Sequence, residues 1–557
     1  MPKVPAGHAV IEAAVTEGVT DIFSLLGHAN LAIIDGFYGR EDVRYIGVRH
    51  EQAGALMADG YARASGLPGV FISTCGPGTT NVVTAAAAAL VAQSPLVIVG
   101  GGTPEEYAFR NAFQEFDLVS LLKPVTKFAG RLTITERIPE MMRHIFRVAT
   151  SGKKGPVFLE LPEDKTAAGS TAEVDNMLPS SYRLVDPRPE GDSASIQAAA
   201  ATLKGAKRPV LLAGGGVVWG EGSEAAVELA DLLGAALVTS YARNDALPND
   251  HPRFLGALGR AGAAEAVEAV QNADVLLALG TRLAHMTGFF DHRYINPETR
   301  IVQVEIDANE IGRNYPVEVG ILGDARAVAA RLLETLRQQV EEGDRNADWQ
   351  KTATDLSARR RVRLATEAQN DSMPVKPQRV YGEMRKVMPP DAIYTVDAGA
   401  VSAMAYDRLH FTEPKTFFSP LYIGSLGVGL PIAMGAKVAR PDKAVVSING
   451  DGGFLFNSQE LQTAIEYGIN VVAVIMNNNS WGGEKNIQNA LFEGRQVGAD
   501  ISNPRYDKYA EVFGAKGFYA EHPDQIADAL QEALSCGKPA IVEIPVDPTE
   551  LGGDVKM

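Results

Sequence analysis

The stretch 444–481 constrains the fold more than any other part of the chain. Ala444-Val445-Val446-Ser447-Ile448-Asn449 has the continuous apolar pattern of a buried strand and runs into Gly450-Asp451-Gly452-Gly453-Phe454. A helical segment follows over 457–467, with Leu461, Ala464 and Ile465 at helical spacing. A second apolar strand over 470–476 opens into Asn477-Asn478-Asn479-Ser480-Trp481. Strand, acidic glycine turn, helix, strand and amide cluster make one βαβ unit, the building block of a parallel sheet covered by helices.

In such a sheet ligands sit beyond the carboxyl ends of the strands. Asp451 and Asn478 are therefore expected side by side, although 27 positions separate them. One carboxylate, one amide oxygen and a nearby backbone carbonyl are hard oxygen ligands, too few for a closed cage, which suits Mg²⁺. The glycines let backbone N–H groups approach a phosphate, and the helix after them offers its positive end. The pattern predicts a site for a Mg²⁺-bound diphosphate.

The same α/β alternation recurs along the chain. Apolar runs at 21–26, 43–48, 69–73, 96–99 and 156–161 alternate with helical segments, and 166–190 reads as a linker or extended crossing segment. A second unit begins near Ile196, with runs at 210–213, 275–279 and 301–307, the first two ending in Gly214-Gly215-Gly216 and Gly280. Residues 340–376 are charge-rich (Glu341-Glu342, Arg359-Arg360-Arg361) and read as a connecting helix whose charges form a solvated face. The third unit starts near Pro377 and ends with a run at 540–544; its rhythm matches the first, as duplication would give. With 557 residues the chain is too long for one core. The expected domains are 1–185, 190–340 and 375–557.

A net charge of −16 argues against a nucleic-acid surface, and no apolar run reaches the length of a membrane span. The start, Met1-Pro2-Lys3-Val4-Pro5, lacks the order of a signal peptide. Cys75 and Cys536 read as buried small hydrophobes rather than a disulfide or metal pair, which fits a reducing, cytoplasmic setting.

Gly450-Asp451-Gly452 followed at this distance by Asn477-Asn478 resembles the thiamine diphosphate signature of the acetolactate synthase, pyruvate oxidase and benzaldehyde lyase superfamily. The resemblance covers nearly the whole chain and implies three doubly wound α/β domains: pyrimidine-binding, central and diphosphate-binding. It implies thiamine diphosphate and Mg²⁺ as cofactors, with Asp451, Asn478 and the Ser480 carbonyl around the metal. Gly399, Ala400 and Val401 would lie along the diphosphate, with Gly450, Gly452, Gly453 and Trp481 also at the cofactor. In Gly424-Ser425-Leu426-Gly427-Val428-Gly429, the Gly424 carbonyl would accept from the cofactor's amino group, and Leu426 would be the wedge that keeps it bent. Glu51, in Arg49-His50-Glu51-Gln52-Ala53, resembles the glutamate that activates the aminopyrimidine. The family places that glutamate and the diphosphate site on different subunits, so an obligate homodimer, commonly a homotetramer, is expected. The family often uses the central domain for FAD or another nucleotide, but the full dinucleotide fingerprint is missing here and FAD is not expected.

On the substrate side the resemblance points to Gln114 and His28, with Trp481 and Glu484 at the pocket entrance and His285, Met286 and Phe290 on the far wall. Pyruvate-type decarboxylases of the family carry a His-His pair in the first domain, and residues 101–120 contain no His. The expected activity is a carboligase or lyase acting on small 2-oxoacids, aldehydes or 2-hydroxyketones. Two alternatives stand beside it. Trp481-Gly482-Gly483-Glu484-Lys485 is similar to sulfoacetaldehyde acetyltransferase, which captures an acetyl group with phosphate, and a 2-oxoacid decarboxylase remains open.

Overall fold

Each apolar run named above becomes a strand in one of three six-stranded sheets, and every pairing within these sheets is parallel. The structure is a computed structural model that describes residues 2–174, 177–340 and 346–550. Parallel strands need covering on both faces, which explains why these runs are apolar throughout rather than alternating.

The first sheet runs in the order Arg44–Gly47, Asp21–Ser24, Gly69–Ser73, Leu96–Gly102, Val157–Pro162, Phe128–Arg131. The third runs Phe417–Phe418, Ile393–Val396, Val445–Gly450, Val472–Asn477, Ala540–Pro545, Lys516–Tyr519. Numbered within each domain, both orders are 2-1-3-4-6-5, the topological match that a duplication leaves. The central sheet has the order Phe254–Ala257, Ala236–Thr239, Pro209–Ala213, Val275–Leu279, Arg300–Glu305, Val319–Leu322, the 3-2-1-4-5-6 order of dinucleotide-binding folds.

The outer domains of one chain pack through two helices poor in large side chains, Glu51–Ser65 and Gly429–Ala439. A Cβ on Gly435 would lie 1.8 Å from Met57 O, and one on Gly60 would lie 2.2 Å from Ile432 O. Only glycine allows the backbones to come this close. The contacts pair the middle of one helix with the middle of the other in opposite directions. Glu51 therefore lies about 11 Å from the centre of the crossing on one side, and Gly429 about 7 Å on the other, at 1.5 Å per residue.

Three local readings change. The helix expected over 457–467 is split into a 3₁₀ turn, Ser458–Glu460, and a helix, Leu461–Glu466, while Asp451–Phe454 is itself a helical turn rather than a loop. Asn457, just before the 3₁₀ turn, donates through Nδ2 to Gly427 O at 2.7 Å. Within 166–190, Thr171–Glu173 pairs antiparallel with Lys3–Pro5, so part of the linker is a strand. The arginine run is a solvated face only in part: Arg359 and Arg361 are exposed, whereas Arg360 turns inward. Arg360 is buried and its Nε donates to Asp407 Oδ1 at 2.8 Å, on the 21-residue helix Ala347–Glu367. Arg363 adds a 2.7 Å bond to the same carboxylate and a 3.1 Å bond to Glu265. Asp407 is buried too, and the two guanidiniums compensate its charge. Glu341 and Glu342 lie outside the described residues. Among the described residues no helix is long and apolar enough to cross a membrane.

Candidate active site

Strands Val445–Gly450 and Val472–Asn477 are neighbours, with Gly450 paired to Met476. The chain therefore releases Asp451 and Asn478 at adjacent strand ends, on the edge of one cleft. Gly399, Ala400 and Val401 enter it from the end of strand Ile393–Val396, Gly424 and Leu426 from the loop before Gly429, and Ser480 and Trp481 from beyond Asn478. Every residue that the sequence put at the diphosphate end thus lines the same cleft of about 270 Å³. The central domain closes the opposite wall with Tyr241, Arg260 and Met286. No residue before Tyr241 contributes. Glu484 and Met286 line the cleft; His285 and Phe290 do not, and their rings stack on each other at 5.5 Å.

The electrostatics of this cleft ask for a cation. Asp451 is 2% exposed, and burial raises its carboxyl above the usual carboxylate range. Among the described residues no Lys, Arg or His forms an ion pair with it. Instead Asn503 Nδ2 donates to Oδ2 at 2.8 Å, and Tyr506 Oη donates to the Asp451 carbonyl at 2.8 Å and to Asn503 Oδ1 at 3.0 Å. A buried carboxylate held only by neutral donors is costly, and a divalent ion beside it offsets that cost. Asn478 supplies the second oxygen, oriented by bonds from Ser480 N and Oγ at 3.2 and 3.1 Å. These donors fit Mg²⁺.

The glycines leave room for the rest of the ligand. Gly424 has φ +61° and open space where a Cβ would stand, and a Cβ on Gly450 would meet only Val401, at 3.9 Å. Gly452 has another role: its missing Cβ lets the Trp481 ring lie against the turn, where a methyl group would sit 2.4 Å from the indole. Beneath the site Asp397 is buried and accepts N–H bonds from Ala398, Gly427 and Val428 at 2.8, 3.0 and 3.3 Å. Burial pushes its carboxyl up to about 7. It pins the Gly424–Gly429 loop, including Leu426, over the strand ends.

Glu51, Gln114 and His28 form a separate half-site on the first domain. Glu51 opens helix Glu51–Ser65, is 9% exposed, and its Oε2 accepts from Asn81 Nδ2 at 2.9 Å. Gly78 lies beside Oε1; a Cβ there would be 3.7 Å away. The same loop holds Gln114 against Gly76 and places Cys75 Sγ 3.3 Å from Gln114 Oε1 and 3.5 Å from His28 Nε2. His28 also stacks on Phe113, centroid to centroid 5.6 Å.

Four members of these sites escaped the sequence. Asn503 and Tyr506 carried no spacing signal, since they reach Asp451 from 52 and 55 residues away. The signal for Asn81 lies in Gly76-Pro77-Gly78, a glycine loop opening a helix after a strand. Cys75, read as a small hydrophobe, is indeed buried, but it also makes the polar contacts just described.

A larger cavity of about 710 Å³ lies at the strand ends of the central domain, beside Gly216, Gly280 and Glu305. Four of its cations are ion-paired: Lys153 with Asp307 and Glu310, Arg183 with Glu17, Arg188 with Asp186 and Lys415 with Glu221, while Lys154 lies over the Trp219 ring at 5.0 Å.

Two related sheets, a dinucleotide-type sheet between them and a cation-seeking cleft at the strand ends define a three-domain α/β enzyme built to hold a diphosphate cofactor. Sequence comparison names the family. The chain matches the thiamine pyrophosphate enzymes domain by domain: the N-terminal TPP binding domain over 5–121, the central domain over 196–332 and the C-terminal TPP binding domain over 397–544. It belongs to that family, and thiamine diphosphate is its cofactor. Its relatives include a probable acetolactate synthase large subunit of Methanocaldococcus jannaschii, 37% identical over 97% of this chain and 92% of the relative. A sulfoacetaldehyde acetyltransferase of Alcaligenes xylosoxydans xylosoxydans is 35% identical over 97% and 93%. The acetolactate synthase isozyme 3 large subunit of Escherichia coli is 32% identical over 99% and 96%.

Proposed function

We propose that this enzyme is a Mg²⁺-dependent carboligase or lyase that makes or breaks carbon–carbon bonds of small 2-oxoacids, aldehydes or 2-hydroxyketones, in the manner of acetolactate synthase. The observation that carries the reading is the division of the site. The cleft holding Asp451 and Asn478 contains no residue before Tyr241, while Glu51 sits on its own half-site at the far end of the crossed helices. A cofactor that needs both must lie between two chains. The enzyme is accordingly proposed to be an obligate homodimer, with a homotetramer as the expected assembly, in the cytoplasm. Exposed Phe109, Phe113 and Phe116 beside the Glu51 half-site give a partner apolar surface to cover.

In this reading Asp451, Asn478 and the Ser480 carbonyl hold Mg²⁺ and through it the diphosphate, with Gly399–Val401 along the tail. Leu426 would support the thiazolium ring of the cofactor, and the Gly424 carbonyl would be available to accept from its amino group. Bound thiamine diphosphate supplies a carbanion that adds to carbonyl carbons. The partner's Glu51 holds a proton at the pyrimidine ring nitrogen, with Asn81 fixing the other carboxylate oxygen. Gln114 and His28 face the incoming substrate.

The test is product identification from a panel of pyruvate, glyoxylate, formaldehyde, glycolaldehyde, benzoin and sulfoacetaldehyde with the loaded enzyme. Acetolactate from pyruvate, or a hydroxyketone from an aldehyde, supports the reading. Acetyl phosphate from sulfoacetaldehyde and inorganic phosphate would establish the second reading, favoured by the Trp481–Lys485 segment and by the acetyltransferase relative. Release of free aldehyde alone would mark a decarboxylase.

A further inference from the structure

We propose that Cys75 is a positioning residue that fixes which end of the Gln114 carboxamide faces the substrate. The inference rests on the reading that the Glu51 half-site faces the cofactor of a partner chain.

Hydrogen counting sets the direction of the bonds. A thiol has one proton, and an amide oxygen only accepts. At 3.3 Å the Cys75 S–H donates to Gln114 Oε1, so the sulfur is left to accept from His28 Nε2–H at 3.5 Å. Donation then runs one way, His28 to Cys75 to Gln114. The end of the chain is the Gln114 –NH₂ group, turned away from the sulfur with its N–H bonds available. The ligand atom that this arrangement selects is an acceptor, the carbonyl or carboxylate oxygen of a small 2-oxo compound. An amide turned the other way would present its oxygen and repel the same atom.

The surroundings keep the thiol in that role. Cys75 is 1% exposed, and burial pushes its pKa up, so at neutral pH it remains a donor rather than a thiolate nucleophile. The backbone is held as tightly. Gln114 stands at φ +60° and Gly76 at φ +54°, and a Cβ on Gly76 would lie 2.7 Å from Gln114 Cβ and 2.9 Å from Gln114 O. A non-glycine residue in the left-handed region is uncommon and persists where packing enforces it. The Cys75–Asn81 loop thus seats Gln114 through Gly76 and Cys75, and Glu51 through Gly78 and Asn81. Proton handling and substrate orientation share one scaffold.

Cys75→Ala and Cys75→Ser, each alone and combined with Gln114→Ala, test the assignment on enzyme loaded with thiamine diphosphate and Mg²⁺. Losing one neutral hydrogen bond predicts a fall in kcat/KM of about fivefold for Cys75→Ala, mostly through KM. Cys75→Ser, whose hydroxyl donates to the same oxygen, should return to within about twofold of wild type. In the Gln114→Ala background the alanine and serine variants should be equal. A packing role gives the opposite order, with alanine harmless and the buried hydroxyl damaging, and that result overturns the proposal. If wild type converts nothing in the substrate panel, the functional reading fails, and the positioning is read from the histidine ring instead. ¹⁵N NMR, with His28 assigned by loss of its signal in His28→Asn, should show Nε2 protonated in wild type and a changed Nε2 signal in Cys75→Ala. An identical signal in both overturns the inference on its own.

Discussion

Replacing Asn503 by alanine tests how Asp451, the proposed Mg²⁺ ligand, is held. The amide donates to the Asp451 carboxylate at 2.8 Å, in a site where that carboxylate is buried and has no basic neighbour among the described residues. A hydrogen bond to a charged group contributes about 1.5–3 kcal/mol. At about 1.4 kcal/mol per tenfold, its loss weakens Mg²⁺ binding by about 10- to 100-fold, the range usual for groups that support a metal ligand. The sign with pH follows from the same contact. The Asn503 bond lowers the carboxyl pKa against the rise from burial, so removing it moves the pKa further up. The variant should therefore lose Mg²⁺ affinity further on the acid side, where protons compete for Asp451. The assay is a Mg²⁺ titration at fixed thiamine diphosphate, followed by activity and by fluorescence of Trp481, which lies against Gly452 in the cleft. Tyr506→Phe removes a neutral bond to the Asp451 carbonyl and should cost less, about 1 kcal/mol. A half-saturating Mg²⁺ concentration for Asn503→Ala within threefold of wild type would refute the reasoning.

Glu51→Gln should cut turnover by 10²-fold or more while leaving cofactor retention nearly unchanged, since about that much is typical of a positioned acid–base group. Co-expressing Glu51→Gln with Asp451→Asn chains should recover activity that neither variant has alone; no recovery in isolated mixed dimers would mean that the two groups do not meet across subunits. Gly435→Ala places a methyl group 1.8 Å from Met57 O, and overpacking of this kind costs about 1–3 kcal/mol, read as a lower Tm. Buried Asp397, Glu460 and Glu160 are each pushed up to about 7. Their folded-state pKa values exceed the unfolded ones, so their contribution is fully present below the ordinary carboxylate range and is lost as pH rises through about 7. The Tm of the apoenzyme should fall between pH 6 and pH 8, with a shallower slope in Glu460→Gln; a Tm that rises over that interval contradicts the assignment.

The primary sequence by itself determined the strands, because parallel strands covered on both faces must be continuous apolar runs, and such runs are visible without neighbours. It determined the diphosphate end too: Asp451 and Asn478 follow paired strands, so strand order alone brings them together. Local pattern was a poorer guide where distant charge or packing intervenes. Arg360 looked solvated until Asp407 drew it inward, and the helix expected over 457–467 opens instead as a 3₁₀ turn over Ser458–Glu460. Asn503, Tyr506 and Cys75 became visible only in three dimensions, since their meaning lies in which oxygen or sulfur stands within hydrogen-bond distance. Tertiary structure alone decided that Glu51 does not line the cleft that holds Asp451 in the same chain. Two antiparallel helices, pressed together at Gly60 and Gly435, set Glu51 and Gly429 at opposite ends, and no one-dimensional pattern encodes the direction in which a helix crosses its partner.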